Sequence, residues 1–538
     1  MRRGLLSVAL YAGLLGFLSF GVAWAEGRDA ARLSLDECLH TALANNLDLV
    51  SAKMDPEIAA KQIGLSEAPF DGIINANVTV TDTDAEETIF DNSPIGPPFS
   101  GINPDQPVLG GTDSDDLTTN VSFSHLLDFG GTYTLAYDWF DQDFLNTSVP
   151  AQTGQLTTFS QDSTNEGVTL RYEMPLLKGF GKEANTVDTL VARGNLEISR
   201  EDLRLQAILT IQSVEDAYWD VRAAIEDLKI SRLSLKRAED LLELNRKKVE
   251  VGTLAPIEIT EAEAGVASQV ERVIVAETNL ENAEDILLQL MAVPETDVMW
   301  DQSLELTKTP SFAPVEVDLD EAIATAMERR PEINSARQRL EDDGLRERVK
   351  KRGLWHQLDL IATLTPERQT VQDQTVDRPD AVIPGVGTVS QDSDTSSDGD
   401  QTDWSAELQY TYSWGNRAAK ADYAIAKLNT AKSELALQSI EQEIRVDVRR
   451  AVRNLQSGLQ RVEAASKNVE LQQKKLEAEE KKFDNGMSTS FEVLTFQNDL
   501  ADAELGQIRA ALDYLKSLTA LEKSKGTLLE SRNLALAE

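Results

Sequence analysis

Cysteine and histidine are scarce in this chain of 538 residues, which has one cysteine and three histidines. The single cysteine, Cys38, excludes an internal disulfide, and its place in a helical apolar pattern favours the role of a small buried hydrophobe. The histidines (His40, His125 and His356) have no spacing typical of a metal site. No Walker loop, H-E-x-x-H or C-x-x-C motif is present, and no nucleophile, base and orienting group can be assembled. The sequence therefore predicts no enzyme, no cofactor and no metal.

Positively charged residues are also few compared with negatively charged ones. Lys and Arg number 52 against 91 Asp and Glu, which gives a net charge of −39. Nucleic-acid binding needs a basic face, so the charge argues against nucleic acid, and we expect no nucleic-acid partner. A surface this acidic is strongly solvated, and it would bias any internal pore toward cations.

Long apolar runs are missing after the first residues. Arg2 and Arg3, an uncharged run Leu5–Phe20 and the small-x-small ending Ala23–Ala25 predict a secretory signal over residues 1–25. The run is too short for the roughly 20 apolar residues of a spanning helix. Because no later run reaches that length, we expect the mature chain to be either soluble outside the cytoplasm or a β-barrel.

The chain contains an internal repeat. Residues 33–48 (LSLDECLHTALANNLD) match 317–332 (VDLDEAIATAMERRPE), each with a Ser or Asp N-cap before a helical apolar pattern. The stretch KKVEVGTLAPIEI from Lys247 matches KKFDNGMSTSFEV from Lys481. The two offsets differ by about 50 residues, which the first copy carries in addition.

Two proline-free segments, 182–250 and 416–484, predict helices of about 100 Å. Each has a heptad seam, a line of core positions at alternating spacings of three and four residues, in which large and small side chains often alternate. Each ends at a glycine turn, and a second helical stretch follows, 257–291 and 490–525. Each repeat is thus an antiparallel helical hairpin that cannot cover both seams alone, so oligomerisation is expected. The seam positions are Val214, Ala217, Val221, Ala224, Leu228, Ser231, Leu235, Ala238, Leu242, Asn245 and Val249 in the first helix and Val448, Ala451, Leu455, Gly458, Val462, Ala465, Val469, Gln472, Leu476, Glu479 and Phe483 in the second.

Six segments alternate apolar and polar residues as half-buried strands do. The last is about as long as a membrane strand and has aromatic residues at both ends of its apolar face; an ordinary β-sandwich strand is the alternative. Long polar loops are expected over 82–116, 142–166 and 366–403, and a short turn at Asp128–Gly131. Within the third loop, 392–400 has some likeness to a calcium loop, but its glycine is misplaced, and a flexible acidic loop is favoured. The segments are 73–81, 118–125, 132–139, 168–174, 358–365 and 404–414.

These features resemble the TolC-type outer-membrane efflux family. The resemblance rests on the helix motif at Leu33–Asn46 and its repeat at Val317, on the strand exit Met174–Gly181, and on the tip motif V-G-T-x-x-x-x-E at Val251–Glu258 with its partner at Asn485–Glu492. Each motif is weak alone, but their order and duplication cover nearly the whole mature chain.

The resemblance implies an α+β membrane protein that is trimeric. Its strands would form an outer-membrane β-barrel in contact with lipid, and its coiled-coil hairpins a periplasmic α-barrel of twelve rods. It would serve as the passive exit duct of a tripartite efflux pump or a type I secretion system, together with a periplasmic adaptor protein and an inner-membrane pump. The alternative is a periplasmic coiled-coil adaptor, although adaptors usually carry one hairpin, and this chain has two.

The resemblance also places site residues. Glu492 aligns with an acidic residue that forms a constricting ring at the periplasmic mouth. A second family acid aligns with Thr495 and a basic latch with Ser488, so this chain departs from the pattern at both. Glu258 and Glu261 are expected to supply compensating carboxylates, with a solvated helix face as the alternative. The tip turns expected to dock the adaptor are Gly252, Thr253, Gly486 and Met487.

The predicted division of the chain is a signal peptide (1–25), a first repeat (26–291), a linker (292–316), a second repeat (317–526) and a C-terminal tail (527–538). Family members typically contribute four strands per protomer. Because segments 118–125 and 132–139 lie in the extra residues of the first repeat, we predict six strands per protomer and eighteen per trimer. The alternative is an extra hairpin folded as a cap over the barrel mouth.

Overall fold

The computed structural model describes residues 30–89, 108–148, 157–307, 314–378, 381–383, 387–389 and 392–535. The predicted signal, residues 1–25, lies outside them. Within that part of the chain, no helix combines the length and apolar character needed to cross a membrane. The helices are α1 (Leu35–Asn45), α2 (Leu47–Glu67), α3 (Lys182–Asn185), α4 (Val187–Glu250), α5 (Ile257–Leu290), α6 (Leu319–Arg329), α7 (Pro331–Arg352), α8 (Arg417–Asp484), α9 (Ser490–Lys525) and α10 (Leu528–Ser531). The strands are β1 (Ala30–Leu33), β2 (Ile73–Ile89), β3 (Val108–Leu126), β4 (Thr132–Ser148), β5 (Thr157–Pro175), β6 (Ser303–Leu306), β7 (Gln357–Asp377), β8 (Ala381–Ile383), β9 (Gly387–Val389) and β10 (Ser393–Thr411).

The chain divides into two compact units. The first draws on Met1–Val50, Ala207–Ala322 and Val448–Glu538, and the second on Ser51–Gln206 and Ile323–Asp447. Each unit takes residues from both halves of the chain, so the compact units do not coincide with the two sequence repeats.

The two opening helices begin with the caps that the sequence predicted. Ser34 and Glu37 form a reciprocal capping box at the start of α1. The Asp318 carboxylate accepts a hydrogen bond from the Asp320 amide at 2.8 Å before α6. Cys38 is fully buried in α1, and burial raises the pKa of its thiol to about 12. The predicted role of Cys38 as a buried hydrophobe is confirmed.

The long helices α4 and α8 have 64 and 68 residues and end where the glycine turns were predicted. Gly252 and Gly486 have φ values of +76° and +71°, the left-handed conformation that glycine adopts without a Cβ clash. All predicted seam positions of both helices are buried or half-buried. Part of the first seam packs on α5, where Leu228 and Leu235 meet Val273 and Ala276.

A small parallel pairing was not predicted. Strand β1 pairs with β6, with Leu33 opposite Leu306. Strand β6 lies inside the predicted linker 292–316, and both strands have only four residues. A four-residue strand shows too few alternations to be recognised from its own pattern.

The second unit contains an antiparallel sheet in the order β10-β7-β5-β4-β3-β2. A tight turn joins β3 to β4, closed by a hydrogen bond from the Leu127 amide to the Gly131 carbonyl at 2.7 Å and by Gly130 at φ +97°. This turn confirms the short predicted link at Asp128–Gly131. The six strands contain five of the predicted segments in full and residues 404–411 of the sixth, 404–414, since β10 ends at Thr411. Each strand has 17 to 21 residues.

The prediction of long loops over 82–116, 142–166 and 366–403 is wrong for most of their described residues. Most of their described residues continue the strands, with pairing as far as Ile89 opposite Val108 and Ser148 opposite Thr157. The acidic segment 392–400 lies largely in β10 rather than in a flexible loop, and Asp398 pairs with Arg368 of β7 at 2.7 Å. Most side chains of these stretches are polar, so regular apolar alternation stops while the backbone hydrogen bonds continue.

The stability of the folded protein is expected to depend on pH through Asp216 on α4. Burial raises the pKa of Asp216 to about 6, with Lys516 opposing the shift, and its Oδ1 atom has no hydrogen-bond partner among the described residues. A raised pKa means that the folded state gains stability as pH falls through about 6 toward the ordinary Asp value. We expect Asp216→Asn to stabilise the protein at pH 7 by about 1 kcal/mol, given partial exposure, and to remove the gain on acidification. Denaturant unfolding at pH 7 and pH 5 tests this, and a variant no more stable than the parent at pH 7 would contradict it.

Candidate functional site

The sheet of the second unit has one continuous apolar face. Residues directly opposite each other in antiparallel strands share a face, so register identifies each row. One row crosses all six strands, and flanking rows add the apolar residues of the predicted segments. The row is Ile74, Phe123, Leu135, Leu170, Leu364 and Trp404. The apolar stretch of each strand covers about seven to nine residues, close to the 9–11 residues of a strand that crosses a bilayer.

The other face of the same strands is polar. A neighbouring row joins Asn77, Asn120, Asp138, Gly167, Glu367 and Gln401. Asn120 donates a side-chain hydrogen bond to Asp138 across the β3–β4 pair. One apolar face and one polar face are what a strand needs when lipid lies on one side and water on the other.

Strands β3 and β4, which come from the extra residues of the first repeat, are interior strands of this sheet and lie between β5 and β2. Phe123 of β3 and Leu135 of β4 are opposite each other, and Leu135 is opposite Leu170 of β5. These two strands therefore extend the apolar face and do not form a separate hairpin beside it.

Within the described residues, each of the two edge strands, β2 and β10, pairs with a neighbour on one side only. On β2, Val78 is 69% exposed, and on β10, Trp404 is 76% exposed, whereas Leu135 in the interior is 46% exposed. Both edges are 17 to 19 residues long, and such edges are normally covered or paired. Since neighbouring strands alternate in direction across six strands, β2 and β10 run in opposite directions.

Each edge strand continues into a helix with an uncovered apolar stripe. Helix α2, which precedes β2, exposes Leu47, Met54, Ile58 and Leu65 at spacings of seven, four and seven. Helix α8, which follows β10, exposes Ile425, Leu428, Leu435 and Val446 at spacings of three, seven and eleven. Both spacings are heptad spacings, so each stripe is suited to pack on another helix.

The first unit contains the helical tip, where the two hairpins end. Helix α9 packs on α5, with Gln269 donating to Asn498 at 2.8 Å, and Leu494 packs against Gly265. Leu241 of α4 and Phe483 of α8 join the same apolar cluster. Side chains of all four long helices therefore meet in one cluster near the tip.

Glu492 is exposed in the first turn of α9 and belongs to a polar cluster. The Ser488 hydroxyl lies 2.6 Å from the Glu492 carboxylate and also within hydrogen-bond distance of Glu479. Lys482 pairs with Glu479 at 2.8 Å and, together with Ser488, holds the pKa of that carboxyl below its ordinary value. Ser488 thus links two carboxylates at the position aligned with the family's basic latch. Glu479 and Lys482 were missed as site residues because the sequence alone places Glu479 only on the seam.

Glu258 is half-buried and ties the two hairpins together. Its carboxylate accepts a hydrogen bond from the Ser490 amide at 3.0 Å, at the N-terminus of α9. Buried Asn245 donates to the Ser490 hydroxyl at 2.6 Å and to the Glu258 carbonyl at 3.2 Å. Glu261 is exposed one turn further along α5. Of the predicted acidic residues, Glu258 and Glu492 are brought to the start of α9.

The tip turns carry exposed apolar side chains. Among the predicted docking residues, Gly252, Thr253, Gly486 and Met487 all lie in these turns, and Met487 is 70% exposed. The structure adds Val251, Ile257 and Phe491, each at least 60% exposed. Their positions in the sequence could have marked these three residues, because they lie beside the turns that were expected to dock the adaptor.

No group of three or more His, Cys, Asp or Glu side chains in the described ranges is arranged to hold a metal ion.

Comparison with known proteins adds a family and a fold. A family model described as "Outer membrane efflux protein" matches residues 110–293 and 322–527. The comparison with curated protein sequences finds no match. The Campylobacter jejuni CmeC outer membrane channel is similar at 15% identity over 100% of this chain and 95% of that one, with a TM-score of 0.60. The Vibrio cholerae outer membrane protein VceC is similar at 13% identity over 91% of this chain and 96% of that one, with a TM-score of 0.58. The open state of the Neisseria gonorrhoeae MtrE outer membrane channel is similar at 16% identity over 92% of this chain and 89% of that one, with a TM-score of 0.54.

The family match confirms the predicted resemblance, the efflux function and the outer-membrane location, and it decides against the adaptor alternative. The family is one of transport proteins rather than enzymes. Because the match covers nearly three quarters of its residues, the chain belongs to the outer membrane efflux protein family.

Proposed function

We propose that three copies of this chain form a passive exit duct through the outer membrane. The apolar row that crosses all six strands carries the proposal, because it gives one lipid-facing surface per protomer. The polar face then lines a water-filled interior, and the long helices extend into the periplasm.

The unpaired edges support closure into a ring. Placing β10 of one copy beside β2 of the next gives an antiparallel pair, and it brings the exposed stripe of α8 toward that of α2. Each contact uses two different surfaces, so the interface is head-to-tail and closes only as a ring. Three copies would form eighteen strands.

The exposed tip residues support docking on a periplasmic adaptor, which in turn meets an inner-membrane pump. Val251 and Ile257 at one tip and Met487 and Phe491 at the other give each chain two apolar contact points. A trimer would present six such points around its mouth. The carboxylates Glu492, Glu258 and Glu261 would give that mouth a negative potential.

Subunit contact can be tested by disulfide formation between edge strands. In a Cys38→Ser background, Val78→Cys on β2 and Leu408→Cys on β10 are expected to form covalent trimers on oxidation. The two edges of one sheet are five strand spacings apart, about 24 Å, so this bond cannot form easily within one copy. Because the register between copies must be found, neighbouring positions on the apolar face of β10 are scanned as well.

The matched control replaces Leu408→Cys by Leu364→Cys on β7, an interior strand, which is expected to give no covalent trimer. Light scattering in mild detergent should give three chains per particle, and planar bilayers should show channels. A stable monomer, or the absence of covalent trimers across the whole scan, would overturn the proposed ring.

A further inference from the structure

Three junctions between helices and strands meet at one end of the apolar face in the second unit. The Leu176 amide, just after β5, donates to the Leu358 carbonyl at 2.7 Å, and the Lys178 amide donates to the His356 backbone carbonyl at 3.3 Å. The Asn416 side chain, between β10 and α8, donates to the Leu354 carbonyl at 3.3 Å. These bonds hold the three junctions together as one surface.

This surface collects positive charge in a chain whose net charge is −39. Lys178, Lys351, Arg417 and Lys420 are exposed there, and none of them has an acidic partner among the described residues. The neighbouring cations Arg348 and Arg352 of α7 differ in having an acidic partner, since both pair with Glu183 at 2.9 Å. We call the four unpaired cations the basic collar.

Aromatic side chains accompany the basic collar. Trp355 is 55% exposed and Trp414 is 94% exposed, although both are large and apolar. The Tyr410 hydroxyl hydrogen-bonds the Nδ1 atom of His356, and the Tyr412 ring lies 4.8 Å from the same imidazole. Tryptophan and tyrosine favour the boundary between lipid tails and headgroups, where one end of the ring is apolar and the other is wet.

We propose that the basic collar binds the phosphate groups of anionic phospholipids in the membrane leaflet nearest the helices. This rests on the proposed function, which puts the apolar face in lipid and the helices on the periplasmic side. The exposed rings mark headgroup level, and the unpaired cations at that level fit a lipid phosphate better than an acidic protein partner. Lysine and arginine beside a membrane surface each strengthen binding of anionic lipid, and four of them act together.

The test measures how many phospholipids remain on the purified full-length protein by native mass spectrometry. Micelles are doped with phosphatidylglycerol or phosphatidylcholine at equal concentration. The wild type is expected to retain phosphatidylglycerol in preference to phosphatidylcholine. The variant Lys178→Gln, Lys351→Gln, Arg417→Gln and Lys420→Gln should lose this preference on the order of tenfold. The control variant replaces four exposed lysines of the long helices by glutamine and should keep the preference for phosphatidylglycerol. These lysines are Lys229, Lys432, Lys467 and Lys481.

The outcomes separate this inference from the function on which it rests. A wild-type protein that forms trimers and channels but retains both lipids equally would overturn the lipid site and leave the duct intact. The same holds if the control variant loses the preference as fully as the collar variant, because charge alone would then explain it. A protein that forms neither trimers nor channels would overturn the duct and the lipid site together. Retained inorganic phosphate without lipid selectivity would also count against the proposal.

Discussion

Leu135→Arg is expected to destabilise the membrane-inserted protein by about 2–4 kcal/mol, the cost of an arginine on the lipid face near the bilayer midplane. Leu135 lies in the middle of the apolar part of β4, opposite Phe123 on one side and Leu170 on the other. If β4 crosses the bilayer as part of an eighteen-stranded barrel, a charge here has no water within reach. We expect most of the protein to lose its heat-resistant trimer form.

Ala136→Arg is the matched control. Ala136 is the next residue of β4 and lies on the opposite face, where its neighbours in the ladder are Ser122 and Thr169. In the proposed barrel, an arginine there would meet the water-filled interior and should cost less than about 1 kcal/mol. Urea unfolding from vesicles and heat-modified migration would measure both variants, and Leu364→Arg on β7 should behave like Leu135→Arg.

The alternative arrangement, in which the β3–β4 hairpin caps the barrel mouth, predicts a different result. If the hairpin of β3 and β4 folded over the mouth as a cap, Leu135→Arg would face water and both β4 variants would be mild. Cysteine at Leu135 or Tyr137 gives a second measurement, in a Cys38→Ser background. A lipid-soluble reagent should modify both positions, and a membrane-impermeant reagent should not. Ready labelling by the impermeant reagent would leave twelve membrane strands per trimer.

Barrel size has a direct consequence for transport. The diameter of a closed barrel grows roughly in proportion to its strand number, so eighteen strands give a pore about 1.5 times as wide as twelve. The helical part keeps four long helices per chain. The membrane section would then be wide, and resistance would lie at the helical tip.

The sequence predicted the features that local chemistry dictates. Helix α4 ends at Glu250 and α8 at Asp484 because glycine follows within two residues and adopts the left-handed conformation. The apolar half of each sheet strand was predicted because its alternation is strong. The polar half was missed, since residues such as Asp82 and Asp115 pair through the backbone without an apolar pattern.

Features that depend on distant residues were also missed. Ser490 and Asn245 are 245 positions apart, and nothing in either local sequence indicates their hydrogen bond. The basic collar likewise draws on three separate junctions that only the fold brings together. The sequence could place Glu258 near a tip, but it could not show that this carboxylate would cap a helix of the other hairpin.

Glu492→Ala is expected to raise single-channel conductance several-fold and to weaken block by divalent cations at least tenfold. Glu492 is exposed at the start of α9, so three copies would place three carboxylates around the periplasmic mouth. A cation about 6 Å from each of the three carboxylates gains about 2 kcal/mol in total per unit of its charge in a water-like dielectric. Because the gain doubles for a divalent ion, divalent ions are favoured most. Removing the side chains would widen the mouth and remove that attraction.

Two further variants separate charge from size. Glu492→Gln keeps the side-chain volume and the hydrogen bond from Ser488, so it should weaken divalent block while changing conductance little. Ser488→Arg would put a cation between Glu479 and Glu492, as the family's basic latch would, and should lower conductance and block together. Glu271→Ala, an exposed carboxylate further along α5, is the control and should change neither. If Glu492→Ala left conductance and block at parent values, the narrowest point would lie elsewhere. The half-buried Glu258 of α5, whose carboxylate contacts the start of α9, would be the next residue to test.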